Sequence, residues 1–153
     1  MSRLSMALAE YAALTDVDLG FSRWITIDQG RIDRFAEVSE DRQFIHVDPL
    51  RAAETPFGGT IAHGALVLSL LTGIAQEVLP SVAGARMQVV QGFDRIRFLR
   101  PVPAGHRIRA QLTIRRVTER APQVLLAAID ARVDLEGSEK PALVAEWLVL
   151  TYF

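Results

Sequence analysis

The chain reads as an α+β domain, an antiparallel sheet wrapped around a long central apolar helix. Two observations predict this. Helical spacing of apolar residues fills the first half and strict alternation the second, with no strand–helix–strand alternation that would build a parallel sheet. The segment Ala62 to Leu79 is apolar on nearly every side, so it must be enclosed. In a single domain of 153 residues a curved sheet is the natural enclosure.

The elements follow in order. Residues 2–14 are Ala-rich and carry Glu10, and they predict a helix; residues 1–18 read as a helical N-terminal extension of one domain spanning 1–153. A short extended piece, Arg23 to Ile27, comes next. Asp28 is a good N-cap for a helix running to about Val38, with Ile32, Phe35 and Ala36 in one apolar stripe. From Ser39 to Thr60 the periodicity stops at Pro49, Pro56 and Gly58-Gly59, although Asp48 and Pro49 predict one or two helical turns to Glu54. Leu66, Leu68, Leu70, Leu71, Ile74, Val78 and Leu79 then make the apolar helix, which Pro80 and Gly84 end. After Ala85 the period falls to two. Ile96 and Phe98 alternate with Arg95 and Arg97, and Ile108, Ala110, Leu112 and Ile114 alternate with Arg107, Arg109, Gln111, Thr113 and Arg115. A further alternating strand runs from Leu125 to Leu135. The last, Leu143 to Phe153, is apolar on both faces and predicts a strand buried on both sides.

One such sheet around one such helix is the hotdog arrangement. The helix covers a single sheet face, so the edges and the other face still need cover. Pairing two copies edge to edge supplies it, and a homodimer is expected.

Composition excludes several classes. Half the residues are hydrophobic and 23% are charged, so the chain folds. It has no cysteine, which removes disulfides, zinc–thiolate sites, iron–sulfur clusters and cysteine nucleophiles. Seventeen basic residues against 18 acidic ones give a net charge of -1, which does not suit nucleic-acid binding by bulk charge. All the basic residues except Lys140 are arginine. No secretory leader is expected at an N-terminus carrying Glu10, Asp16 and Asp18, and no membrane span in an apolar stretch broken by His63, Ser69, Thr72, Gln76 and Glu77. A cytoplasmic protein is expected.

The chemistry concentrates between Phe35 and Gly64. Asp41 and His46 lie five apart where the chain can turn and aim both side chains at one water, and an imidazole titrates near neutrality. Gly64 begins the apolar helix. An unpaired N–H there carries partial positive charge, and glycine lets a ligand carbonyl come close. Those parts suit the addition of water across a double bond conjugated to a thioester. A base activates the water, an acid protonates the α-carbon, and a donor holds the enolate oxygen.

The pattern Phe35-Ala36-x-x-Ser39-x-Asp41-x-x-x-Ile45-His46-x-Asp48-Pro49, followed by Phe57-Gly58-x-x-Ile61-Ala62-His63-Gly64, resembles the MaoC-like dehydratases, which include the R-specific 2-enoyl-CoA hydratases. The form around Gln43 to Pro49 is most similar to the nodulation protein N-like subgroup. The resemblance implies a hotdog fold, usually dimeric. It implies that Asp41 and His46 hold and activate the water, and that the Gly64 N–H takes the thioester oxygen. It also implies that Thr72 supports the aspartate. The substrate it implies is an acyl-CoA thioester, or one carried on an acyl carrier protein, with no cofactor beyond the coenzyme A of the substrate. Many such hydratases have Gly-Asp-x-Asn-Pro where this chain has Glu40-Asp41-Arg42-Gln43-Phe44. Gln43 keeps the amide on a longer arm, and Phe44 replaces a stiff proline.

Other readings compete with these. Asp48 reads as an N-cap before Pro49. His63 reads as a structural residue bonding the loop before the helix, with a supporting role near the thioester as the alternative. His46, Asp48 and His106 mimic a two-histidine, one-carboxylate iron site, but His106 falls at a turn and no metal is expected. The arginines of the alternating strands read as solvated surface, some of which could meet coenzyme A phosphates. Two rival functions share the fold: an acyl-CoA thioesterase and a non-catalytic acyl-thioester-binding module.

Overall fold

A six-stranded antiparallel sheet with one helix against its inner face makes up the computed structural model, which describes residues 5–153. Its strands are β2 (Thr15–Phe21), β3 (Ile25–Thr26), β5 (Met87–Phe98), β6 (Arg107–Ala121), β7 (Val124–Leu135) and β8 (Leu143–Tyr152). Their order is β2-β6-β7-β8-β5, with β3 also paired to β6. Two further short strands, β1 (Ser5–Met6) and β4 (Ser81–Val82), pair in parallel beside it. The fold is the α+β hotdog.

Alternation builds the core. On β6 the side chains of Ile108, Ala110, Leu112 and Ile114 point inward and are fully buried, and on β7 Ala127, Ile129, Ala131 and Val133 do the same. The central helix α5 (Gly64–Ile74) adds Leu66, Val67, Leu71 and Ile74 to that layer, and a 3₁₀ turn, Ala75–Glu77, continues it. Trp147 of β8 stacks on Phe93 of β5, ring centroids 5.9 Å apart, inside the same core.

The other helices are α1 (Leu8–Ala12), α2 (Gln29–Ser39), α3 (Phe44–Val47) and α4 (Pro49–Ala53). Both expected caps are made. The Asp28 carboxylate accepts the Arg31 N–H at 2.7 Å, and that of Asp48 accepts the Arg51 N–H at 3.1 Å. No helix among the described residues is long and apolar enough to cross a membrane.

Four expectations need correction. The N-terminal helix covers only Leu8–Ala12, residues 1–4 lying outside the described residues, and Thr15–Phe21 is an edge strand rather than part of a helical extension. Tyr11 anchors α1 by burying its ring, while β2 takes the next residues because β6 offers it unpaired backbone. The central helix is not enclosed on every side: Ala65, Ser69 and Gly73 form an exposed stripe of small residues. β8 is not buried on both faces. Leu143, Ala145, Trp147, Val149 and Thr151 are buried, whereas Val144, Glu146, Leu148, Leu150 and Tyr152 remain half-exposed on the outer face. Finally, β5 begins at Met87, nine residues before the alternation at Ile96. Bulges between Val90 and Gly92 and between Asp94 and Arg97 shift its register and break the period-two signal.

Candidate active site

A run of hydrogen bonds ties together the segment from α2 to α5. Glu40 ends α2 in the left-handed conformation, φ 62°, which turns the chain back. Arg42 reaches back to Glu37 with two hydrogen bonds of 3.0 Å each. The guanidinium holds the Glu37 carboxyl below its ordinary range and is itself raised by the carboxylate. Within that turn the Asp41 carboxylate accepts the Gln43 N–H at 3.3 Å, and its N–H meets the Ser39 hydroxyl. Asp41 is thus a turn-former as well as an exposed carboxylate.

α3 is one turn long, too short to stand alone. Gln29, the first residue of α2, secures it. Its amide donates to the His46 carbonyl at 2.7 Å and to Asp33 at 2.8 Å, and its oxygen accepts from the buried Thr60 hydroxyl. The Ile61 N–H donates to the Ile45 carbonyl, and the Ala62 N–H to Val102. These bonds bring His46 onto the entrance of α5.

His46 is buried, and its Nδ1 lies 2.7 Å from the Ile61 carbonyl. A carbonyl can only accept, so Nδ1 carries a hydrogen, and in the tautomer with that single hydrogen Nε2 keeps its lone pair. His63, the N-cap residue of α5, stacks on it with ring centroids 3.8 Å apart and an interplanar angle of 24°. By the same reasoning His63 donates from Nε2 to the Asp41 carbonyl at 2.9 Å. Its Nδ1 is buried without a partner among the described residues. Phe35 closes the far side of His63, ring centroids 5.0 Å apart.

The result is a cluster. One nitrogen of each imidazole and one carboxylate oxygen of Asp41 lie within 4.8 Å of one another. That spacing fits a water held among them. The same three residues also have the spacing to hold a metal ion. His46, Asp48 and His106 are not gathered: the Asp48 carboxylate caps α4, and His106 is exposed at the turn after Gly105.

Gly64 follows His63 as the first residue of α5, where N–H groups have no acceptor within the helix. A cavity of about 490 Å³ opens there, bounded by His46, Gly64, Phe57, Val67, Phe98 and Pro101, with Arg100 also on its wall. Thr72 does not join the cluster; its hydroxyl donates to the Ser69 carbonyl in its own helix at 2.8 Å. The Gln43 side chain makes no hydrogen bond among the described residues, and its contribution is the backbone turn to Asp41.

Several arginines of the strands are paired, whereas Arg97, Arg116 and Arg120 form no ion pair among the described residues. Arg95 meets Glu146, Arg107 meets Glu136, Arg109 meets Asp134, and Arg115 lies between Asp16 and Asp130. Sequence reasoning missed Gln29, Thr60 and Phe98, since each reaches the site across a long stretch of chain.

A hotdog sheet, a central helix beginning at Gly64, and a carboxylate with two imidazoles at that tip define the class of protein to which this chain is similar. The chain belongs to the MaoC like domain family, which matches residues 10–133. It is 42% identical over 149 residues to Nodulation protein N of Rhizobium meliloti (strain 1021), covering 97% of this chain and 92% of that one. It is 41% identical over 143 residues to 3-hydroxyacyl-thioester dehydratase Z of Mycobacterium tuberculosis (strain ATCC 25618 / H37Rv), covering 94% of each. Its fold matches the solved (R)-hydratase from A. caviae involved in PHA biosynthesis with a TM-score of 0.71 and 26% identity, over 90% of this chain and 96% of that one.

Proposed function

We propose that the protein hydrates trans-2-enoyl thioesters to (R)-3-hydroxyacyl thioesters and catalyses the reverse dehydration. The broad class, a hydro-lyase of the MaoC type, follows from family membership. The observation that supports the finer reading is the cluster of Asp41, His46 and His63 at the first turn of α5, beside an apolar cavity.

In this reading Asp41 and His46 hold one water. Nε2 of His46 takes a proton from it as the oxygen adds to C3. The electron pair of the double bond moves toward the thioester oxygen, where the Gly64 N–H donates to it. The proton taken from the water returns to C2 and restores the thioester. Dehydration runs these steps backwards. His63 keeps Asp41 in place through the carbonyl bond. The reaction needs no cofactor beyond the coenzyme A, or carrier-protein pantetheine, of the substrate.

We also propose a homodimer joined through β5. This strand is a sheet edge, and Met87, Val89, Val90, Phe98 and Leu99 are exposed along or beside it, which a lone protomer would leave in water. Sedimentation is expected to give twice the 16.9 kDa chain mass; a 16.9 kDa species at micromolar concentration removes this proposal.

Incubation with a 2-enoyl-CoA tests the activity. Loss of the conjugated double bond without free thiol is expected. Release of free thiol instead makes the protein a thioesterase, and binding without turnover makes it an acyl-thioester-binding module.

A further inference from the structure

Gly64 is a glycine with no conformational need to be one: it sits in ordinary helical backbone, outside the set of positive-φ glycines. Its place at the first position of the helix does not call for glycine either, since alanine has the higher helix propensity. The space beside it gives the reason. A methyl group built on Gly64 would lie 2.9 Å from two ring carbons of Phe98 and 3.2 Å from a third. The ring of Phe98 therefore rests on the first turn of α5, in the place where a side chain at position 64 would be.

The rest of Phe98 is arranged for adjustment. It is the last residue of β5, and its backbone is fixed because Phe98 pairs with Leu143 and the next N–H, of Leu99, donates to the Ala142 carbonyl at 2.8 Å. Phe98 is 55% exposed, so the protomer leaves much of the residue in solvent. One of its faces bounds the same cavity that His46 and Gly64 open into.

We propose that Phe98 is the specificity-determining wall of this site, its ring seated on Gly64 and setting how large an acyl group fits beside the thioester. The inference rests on the hydratase reading above and deepens it. The occupant is the apolar chain next to C3, because the cavity wall there is made of Phe57, Val67, Phe98 and Pro101.

The test is a turnover series of straight-chain 2-enoyl-CoA substrates of increasing length, run on the wild type, Phe98→Leu and Phe98→Ala. Removing ring carbons from an apolar pocket should raise the kcat/KM ratio of longer to shorter substrates, by about tenfold or more for Phe98→Ala and less for Phe98→Leu. Phe98→Leu keeps an apolar side chain on the β5 edge, so its shift separates pocket size from any loss of assembly in Phe98→Ala. An unchanged length profile in both variants overturns the proposal, as does an equal loss at every length. A wild-type protein that hydrates no member of the series removes the hydratase reading and the proposal together.

Discussion

The outer face of the sheet and the entrance of α5 use polar groups in opposite ways. On the outer face charges meet charges: Arg95 pairs with Glu146, Arg132 with Asp134, and Arg115 with Asp130, and a depression of about 390 Å³ there is lined by Arg95, Arg132, Asp130 and Glu146, whose charges balance. At the helix entrance polar groups are bonded through one atom and open through another. His46 is bonded at Nδ1, His63 at Nε2, and Asp41 through its backbone carbonyl and one bond to its carboxylate. The first region is satisfied surface. The second keeps valence in reserve beside an apolar cavity, which is what a reactive site requires.

Breaking the second region should have the largest effect. His46→Gln removes the imidazole lone pair and should lower hydration about 10²–10⁴-fold, measured as kcat, with the far-ultraviolet circular dichroism unchanged. Gln29→Ala should come next. It leaves the His46 carbonyl and the buried Thr60 hydroxyl without their partner, at about 1–3 kcal/mol by denaturant unfolding, and activity should fall with it. Unfolding with the activity per folded molecule unchanged would show that Gln29 supports the fold and not the site.

Smaller effects sharpen the contrast. Arg100 lines the cavity with no ion pair among the described residues, unlike Arg95, Arg115 and Arg132 of the outer face. Arg100→Ala is expected to raise KM for a coenzyme A thioester and leave KM for a short, phosphate-free thioester unchanged. On the paired face, Arg115→Ala should cost only about 0.2–1 kcal/mol and leave kcat as it was, because its partners are exposed.

The core has its own pH signature. Burial raises Tyr11 above its ordinary value, and a hydrogen bond from Thr151 offsets this in part. The folded state therefore holds the phenolic proton more tightly than the unfolded chain. Its contribution is complete below the unfolded pKa of about 10 and declines as pH rises through the folded value. Melting temperatures measured upward from pH 8 should fall above that point, and less so in Tyr11→Phe. Glu37 has the opposite sign: its depressed carboxyl contributes above the unfolded carboxylate range and loses that contribution as pH falls through its folded value.

Local chemistry was legible in the sequence and distant contact was not. The caps at Asp28 and Asp48 act within three residues, and both could be read directly. The pairing of Asp41 with His46 was readable because the two are close in sequence and match a family pattern. β2 carries a signal, Val17, Leu19 and Phe21 alternating with polar residues or glycine, that the Ala-rich stretch before it obscured. β5 carries none over its first half, because its bulges destroy the period. Gln29 reaches His46 across 17 residues and Thr60 across 31, and His63 reaches Asp41 across 22, so only the folded chain reveals them. Phe98 looked like one more strand residue until its ring was found on Gly64.

Two carboxylates seven residues apart in one loop offer the most direct test. Asp41 lies in the cluster, whereas the Asp48 carboxylate caps α4, a task that asparagine performs about equally well. Hydration of a 2-enoyl-CoA should fall by roughly 10²–10⁴-fold in Asp41→Asn and stay close to wild type in Asp48→Asn. Full activity in Asp41→Asn, or equal losses in both, would contradict the account.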